Sequence, residues 1–156
     1  MKKCIFTVLL VAWMGFIFSM SAQNSDVSSN TSGDTIRVVL SLVPEFEDQS
    51  KEFQEQVIED LQFIARKSAH FIAYMILGIL SILLLLQFSS INKMPQIALI
   101  FCIAYAISDE IHQFFVPGRA CQLRDVLIDS TGSLTGIILV LLFIKLFNKN
   151  KMTSRV

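Results

Sequence analysis

Four stretches of this chain each approach the roughly 20 mostly apolar residues that a helix needs to cross a bilayer. They run from about 4 to 20, 69 to 88, 96 to 116 and 126 to 147. A chain that must satisfy its backbone inside hydrocarbon has helices or a closed barrel available to it, and runs this long and unalternating specify helices. Composition agrees: 53% of the 156 residues are hydrophobic and 17% charged, where soluble domains carry about 25% charged residues. The sequence therefore predicts an all-α integral membrane bundle of four transmembrane helices, one domain over residues 1–156.

Charge distribution orients the bundle, because lysine and arginine mark the cytoplasmic side of short flanks. Lys2 and Lys3 precede the first segment, Lys93 sits between the second and third, and Lys145, Lys149, Lys151 and Arg155 follow or end the fourth. Both termini are expected in the cytoplasm. The loop 23–67 holds nine acids against four bases and is expected outside. A lysine pair, an apolar run and Ser21-Ala22-Gln23 also have the outline of a cleaved signal peptide. The run exceeds the usual apolar core of about 7 to 15 residues, and bulky Met20 is poorly placed for cleavage after Ala22, so a retained helix is expected.

Within the outer loop, Asp26 to Asp34 is rich in Ser, Asn and Gly and reads as irregular. From Glu45 onward Phe46, Phe53, Val57, Leu61 and Ile64 recur at helical spacing among acids and glutamines. That pattern predicts an amphipathic helix, lying at the interface or running into the second span. Its plainest use is to cover the outer end of the bundle; docking of a partner, with the chain acting as a small membrane scaffold, is the other.

The net charge of +0 argues against a nucleic-acid partner. Cys4, Cys102 and Cys121 are too few and scattered for a disulfide framework, and no CxxC pair is present. What the chain does carry is a set of ionisable residues at one membrane depth, where each costs a few kcal/mol even on lenient insertion scales, about 2.5 to 3.5. On the second span Lys67, His70 and Tyr74 share a face by spacing. On the third, Tyr105, Asp109 and His112 share one face, and Glu110 and Gln113 an adjacent one. The turn Val116-Pro117-Gly118-Arg119 returns the chain, and Arg124, Asp125 and Asp129 open the fourth span. Gly132 and Gly136 have GxxxG spacing, and with Gly78 they predict a close helix seam that draws these polar faces together.

All the polar positions fall at the outer end, which describes an outward-facing pocket. Four uses stay open for it. Arg119, Arg124 and Lys67 could neutralise Asp109, Glu110, Asp125 and Asp129 in a purely structural network. His70, His112 and Asp109 could ligate a divalent metal, although no motif requires a cofactor. His112, Glu110 or Asp109 could act as general acid or base. Lys67, Arg119 and Arg124 could capture a phosphate or carboxylate.

Read together, Arg66-Lys67-Ser68-Ala69-His70-Phe71 with Tyr74, Leu77 and Gly78, then Ser108-Asp109-Glu110-Ile111-His112-Gln113, then Val116-Pro117-Gly118-Arg119, then Arg124-Asp125-Val126, Asp129 and Gly132, resemble the VanZ-like family of bacterial membrane proteins. Phe18, Ser19, Ser21, Ala22 and Gln23 resemble the end of that family's first helix, which favours its retention. The resemblance implies a small multi-pass protein of the bacterial cell membrane, in a family named for a member linked to lowered teicoplanin susceptibility. Some members carry Asn where this chain has Asp129, so the carboxylate there is an addition.

The expected function is a VanZ-like envelope protein whose outer pocket binds, or alters access to, a cell-wall or lipid component and so affects glycopeptide susceptibility. The bilayer and a lipid-linked or peptidoglycan-related ligand are the expected partners. Its expected binding residues are Lys67, His70, Tyr74, Asp109, Glu110, His112, Gln113, Arg119, Arg124, Asp125 and Asp129. An intramembrane hydrolase or transferase using His112 or Glu110 as base and Arg119 to stabilise negative charge is the enzymatic alternative.

Overall fold

The structure, a computed structural model, describes residues 1–23, 34, 36–88, 92–119 and 121–153. The Ser- and Asn-rich stretch of the outer loop, 24–33, lies outside them. Among the described residues every regular element is a helix: α1 (Lys2–Ser21), the short α2 (Pro44–Glu47), α3 (Lys51–Leu85), α4 (Met94–Phe114) and α5 (Leu123–Thr153). Four of these, α1, α3, α4 and α5, are long and apolar enough to cross a membrane.

The helix boundaries differ from the hydropathy reading in one substantial way. α3 begins at Lys51 rather than near 69, so it is a single helix of 35 residues, about 52 Å long at 1.5 Å per residue. Ser50 caps it, its hydroxyl accepting from the Phe53 N–H at 3.4 Å, with Glu52 in the favourable first turn. From Lys51 to Leu77 the sequence contains neither Pro nor Gly to break the helix. Much of what composition marks as outer loop is thus the near end of the second span's helix. α4 begins with Pro95 in its first turn, the position where a missing N–H is harmless. It ends two residues early, at Phe114, and the chain turns back through Gly118 in the left-handed region at φ 77°, which glycine adopts without strain. α5 opens at Leu123 rather than 126 and continues to Thr153 rather than 147.

Side-chain contacts fix the helix directions. Trp13 Nε1–H donates to the Ala73 carbonyl at 2.9 Å, and Lys3 Nζ lies 4.3 Å from the Phe88 ring centroid, so α1 and α3 run opposite ways. Tyr105 donates to the Met14 carbonyl at 2.7 Å and Ser21 meets Asp109, which makes α1 and α4 parallel. Along α3 and α5 the residue numbers of the contacts rise together, from Lys67 with Asp125 through His70 with Asp129 to Tyr74 with Ser133. These two helices are also parallel. The alternation is that of a chain threading one layer four times.

The α3–α5 pair is the most extensive interface, and glycine makes it so. A Cβ on Gly78 would collide with the Ser133 backbone, one on Gly132 with the Phe71 carbonyl, and one on Gly136 with the Met75 carbonyl. The expected seam of small residues is therefore present, with backbones in direct contact. Core residues lie between the helices, in one cluster around Leu10, Ile17, Tyr74, Leu77, Cys102 and Ala106 and another around Ile82, Ala98 and Ile137. The outward faces are apolar: Val8, Val11, Ile100, Phe143 and Leu146 are each at least 60% exposed. In water this arrangement would be inside out; in lipid it needs no further cover.

Candidate functional site

The ends of α1 and α4, the middle of α3 and the start of α5 converge on the polar residues. At the last turns of α4, Asp109, Glu110 and Gln113 are buried at 2%, 1% and 3% exposure. Asp109 Oδ2 accepts from the Ser21 hydroxyl at 2.7 Å and from Gln113 Nε2 at 3.2 Å. Gln113 Nε2 also reaches Ser21 Oγ at 3.3 Å, so three side chains close a small network between α1 and α4. Tyr105, Asp109 and His112 do share a face, as their spacing predicts, and it is the face turned to α1. His112 stacks on Phe18 with ring centroids 4.0 Å apart, and its Nε2 is buried with no hydrogen-bond partner among the described residues.

Glu110 turns the other way. Its Oε2 accepts the Gln122 backbone N–H at 2.8 Å and anchors the approach to α5, while its Oε1 is buried without a partner among the described residues. Across the α3–α5 interface, Lys67 Nζ meets Asp125 Oδ1 and Oδ2 at 2.5 and 2.6 Å. One turn deeper His70 Nδ1 approaches Asp129 Oδ1 at 3.6 Å, within ion-pair reach but too long for a hydrogen bond. Asp129 is fully buried, and among the described residues neither of its oxygens has a hydrogen-bond partner. Tyr74 lies one turn further down, fully buried, its hydroxyl also without a hydrogen-bond partner among the described residues.

In the turn after α4, Arg119 Nε–H donates to the Gln23 carbonyl at 3.1 Å and ties the exit of α1 to the α4–α5 connection. Burial first, and then the nearby Arg66 charge, lower the Arg119 pKa below its ordinary value, while Asp109, Glu110 and Asp125 work against that shift. A guanidinium starts so high that it stays charged. Arg124 stands apart from this group: it and Lys67 lie 5.4 and 5.3 Å from the Phe63 ring centroid, a cation–π arrangement at the rim.

These residues surround a cavity of about 340 Å³, within the size range of small-ligand sites. One wall is apolar, from Phe16, Ile17, Met20 and Phe63; the other is polar, from Arg66, Lys67, His70, Gln113, Arg119 and Asp125. Of the residues expected to bind, Lys67, His70, Gln113, Arg119 and Asp125 line it. Tyr74, Asp109, Glu110, His112, Arg124 and Asp129 do not: they sit behind it, in the interfaces or on the rim.

The structure also regroups the metal candidates. Ligand atoms of His70, Asp109 and Asp129 all lie within 4.8 Å of one another, and His112 is not in that group. His112 shares the face of Asp109 on α4, but that face is packed on Phe18. Sequence reasoning passed over Ser21, Arg66 and Gln122. Ser21 ends an apolar run beside Ala22, where a small polar residue reads as a processing signal; its placement opposite Asp109 depends on two helices running parallel.

None of the curated proteins and none of the solved structures compared with this chain matches it. The family model for VanZ/LLP1 matches residues 6–144, a span that takes in the second and third membrane-crossing segments whole, all but the terminal residues of the first and fourth, and every residue of the site described above. The chain is a multi-pass membrane protein of the VanZ/LLP1 family.

Proposed function

We propose that this VanZ-like protein uses the cavity between α1, α3, α4 and the α4–α5 turn to bind an anionic lipid or lipid-linked component of the cell envelope, and thereby alters glycopeptide susceptibility. The observation that carries the reading is the two-sided lining of the 340 Å³ cavity. Arg66, Lys67 and Arg119 offer donors suited to a phosphate or carboxylate, and Phe16, Met20 and Phe63 offer an apolar wall for an acyl or prenyl chain. Lys67 is already engaged by Asp125, so Arg66 and Arg119 are the donors that a head group would meet.

The same reading places the cavity on the extracytoplasmic side. The lysine-bearing ends, marked by Lys3 beside Phe88, lie at the opposite end of the bundle, and positive flanks favour the cytoplasm. Both termini are then cytoplasmic. The near half of α3, with Phe53, Leu61 and Ile64 exposed, stands at the outer interface as the amphipathic element. Neither Glu110 nor His112 lines the cavity, which favours binding over a transferase or hydrolase with either as base.

The test is lipid retention. Protein extracted in mild detergent and analysed by native mass spectrometry should carry an anionic envelope lipid, and Arg119→Ala with Arg66→Ala should lose it. In cells, deletion should shift the teicoplanin response, and the double variant should fail to restore it. Full restoration by a variant that retains no lipid would remove the cavity from the function.

A further inference from the structure

Among the described residues, no Lys or Arg pairs with two carboxylates buried between the helices. Asp129 is fully buried with both oxygens unmet, and Asp109, 2% exposed, has Oδ1 unmet while Ser21 and Gln113 hold its Oδ2. Lys67, one turn above His70 on α3, is held by both oxygens of Asp125. Arg119 donates to the Gln23 carbonyl, and Arg66 lines the cavity rather than the space behind it. What does face the two aspartates is the imidazole of His70, with the Tyr74 hydroxyl beside it, and one ligand atom from each of His70, Asp109 and Asp129 lies within 4.8 Å of the others.

We propose that His70, Asp109 and Asp129 form a site for one divalent transition-metal cation. Charge supports it: two carboxylates and a neutral imidazole around a doubly charged ion sum to zero, which is the condition for leaving ionised groups at this depth. Geometry supports it as well. Metal–ligand bonds of about 2.1 Å at tetrahedral angles set ligand atoms about 3.4 Å apart, so three atoms within 4.8 Å of one another need to converge by at most about 1.4 Å. The donor set selects the ion, because an imidazole with two carboxylates suits Mn²⁺, Fe²⁺ or Zn²⁺, whereas Mg²⁺ and Ca²⁺ favour oxygen alone.

The surroundings have the form of a supporting shell. Ser21 and Gln113 fix one oxygen of Asp109 and leave the other free, the arrangement that orients a ligating carboxylate. The glycine contacts of Gly132 with Phe71 and of Gly78 with Ser133 hold α3 and α5 close enough for His70 and Asp129 to face each other. Three protein ligands leave a position open. His70, Ser21 and Gln113 all line the 340 Å³ cavity, so the ion sits at its floor, where an occupant of the cavity would reach it.

The experiment is metal analysis of the full-length protein, purified in detergent after removal of any affinity tag, with melting followed before and after EDTA. About one equivalent of Mn, Fe or Zn per chain is expected. EDTA should lower the melting temperature, and Mn²⁺ or Zn²⁺ alone should restore it. His70→Ala and Asp129→Asn should lose both the metal and the response, and Ser21→Ala should weaken binding about 10-fold. The double variant Cys4→Ser with Cys121→Ser should keep the metal, since metal lost with those exposed thiols would be thiol-bound and would overturn the proposal. It is also overturned by a metal-free protein whose melting neither Mn²⁺ nor Zn²⁺ moves, or by an Asp129→Asn variant that binds as the parent does. Lipid retention is a separate readout, so the cavity can bind lipid with this site absent, and the site can hold metal with the cavity empty.

Discussion

Helices α3 and α5 meet along one continuous interface that is built in two different ways. In its lower part, from Phe71 to Ile137, backbone lies on backbone: glycines remove the side chains, and Ser133 Oγ–H closes on the Tyr74 carbonyl at 3.1 Å. In its upper part, from Lys67 to Asp129, the same helices are joined by charged groups, some saturated and some with no partner. The lower part has the composition of a seam selected for closeness. The upper part carries buried charge that closeness alone would not call for, and Asp129 is the point where the two styles meet. A membrane bundle can keep costly polar groups only where something rigid next to them fixes their spacing.

Five substitutions would break or sharpen that contrast. The largest effect is expected from Gly136→Val, which drives a side chain into the Met75 carbonyl; it should destabilise the detergent-solubilised protein by about 3 kcal/mol or abolish folded material, read by thermal melting and size-exclusion recovery. Gly15→Ala is its counterpart, since nothing lies within 4 Å of a Cβ there, and it should be neutral or stabilising by up to about 1 kcal/mol. Lys67→Met strips Asp125 of its partner in a half-buried setting. The expected loss of about 2 kcal/mol falls between that of exposed and fully buried pairs, and an Asp125→Leu change in the same chain should recover part of it. Ser21→Ala, which removes a hydrogen bond to a buried carboxylate, should cost about 1 kcal/mol in melting experiments. The smallest loss, about 0.6 kcal/mol, is expected for Trp13→Phe, which deletes one interhelical hydrogen bond in a membrane setting. If Lys67→Met proved more damaging than Gly136→Val, the seam would not be the rigid half of the interface.

The spans and their seam were legible in the sequence because lipid imposes length and apolarity on each helix separately, and because Gly78, Gly132 and Gly136 have no other evident reason to sit inside spans. Most of the polar residues were legible for the complementary reason, that charge inside an apolar run stands out. Partner choice was not. Spacing alone puts Asp109 and His112 on one face, yet which of them meets His70 depends on how α4 is rotated against α1 and α3. Packing of Phe18 on His112 settles that rotation. The helical spacing of Phe53, Val57, Leu61 and Ile64 left open whether that helix lies apart at the interface or joins the second span; the Ser50 cap and the absence of Pro and Gly from Lys51 to Leu77 join the two in one helix.

That continuity gives the molecule a lever. A helix unbroken by proline or glycine from Lys51 to Leu77 bends only gently over such a length, so a load applied to its outer tip is delivered to the turns that carry Lys67 and His70. The uppermost backbone contact of the seam, Phe71 on Gly132, is the fulcrum of that arm, and Lys67 on Asp125 is the first tie beyond it. A tilt of the outer arm therefore bears first on the Lys67–Asp125 pair.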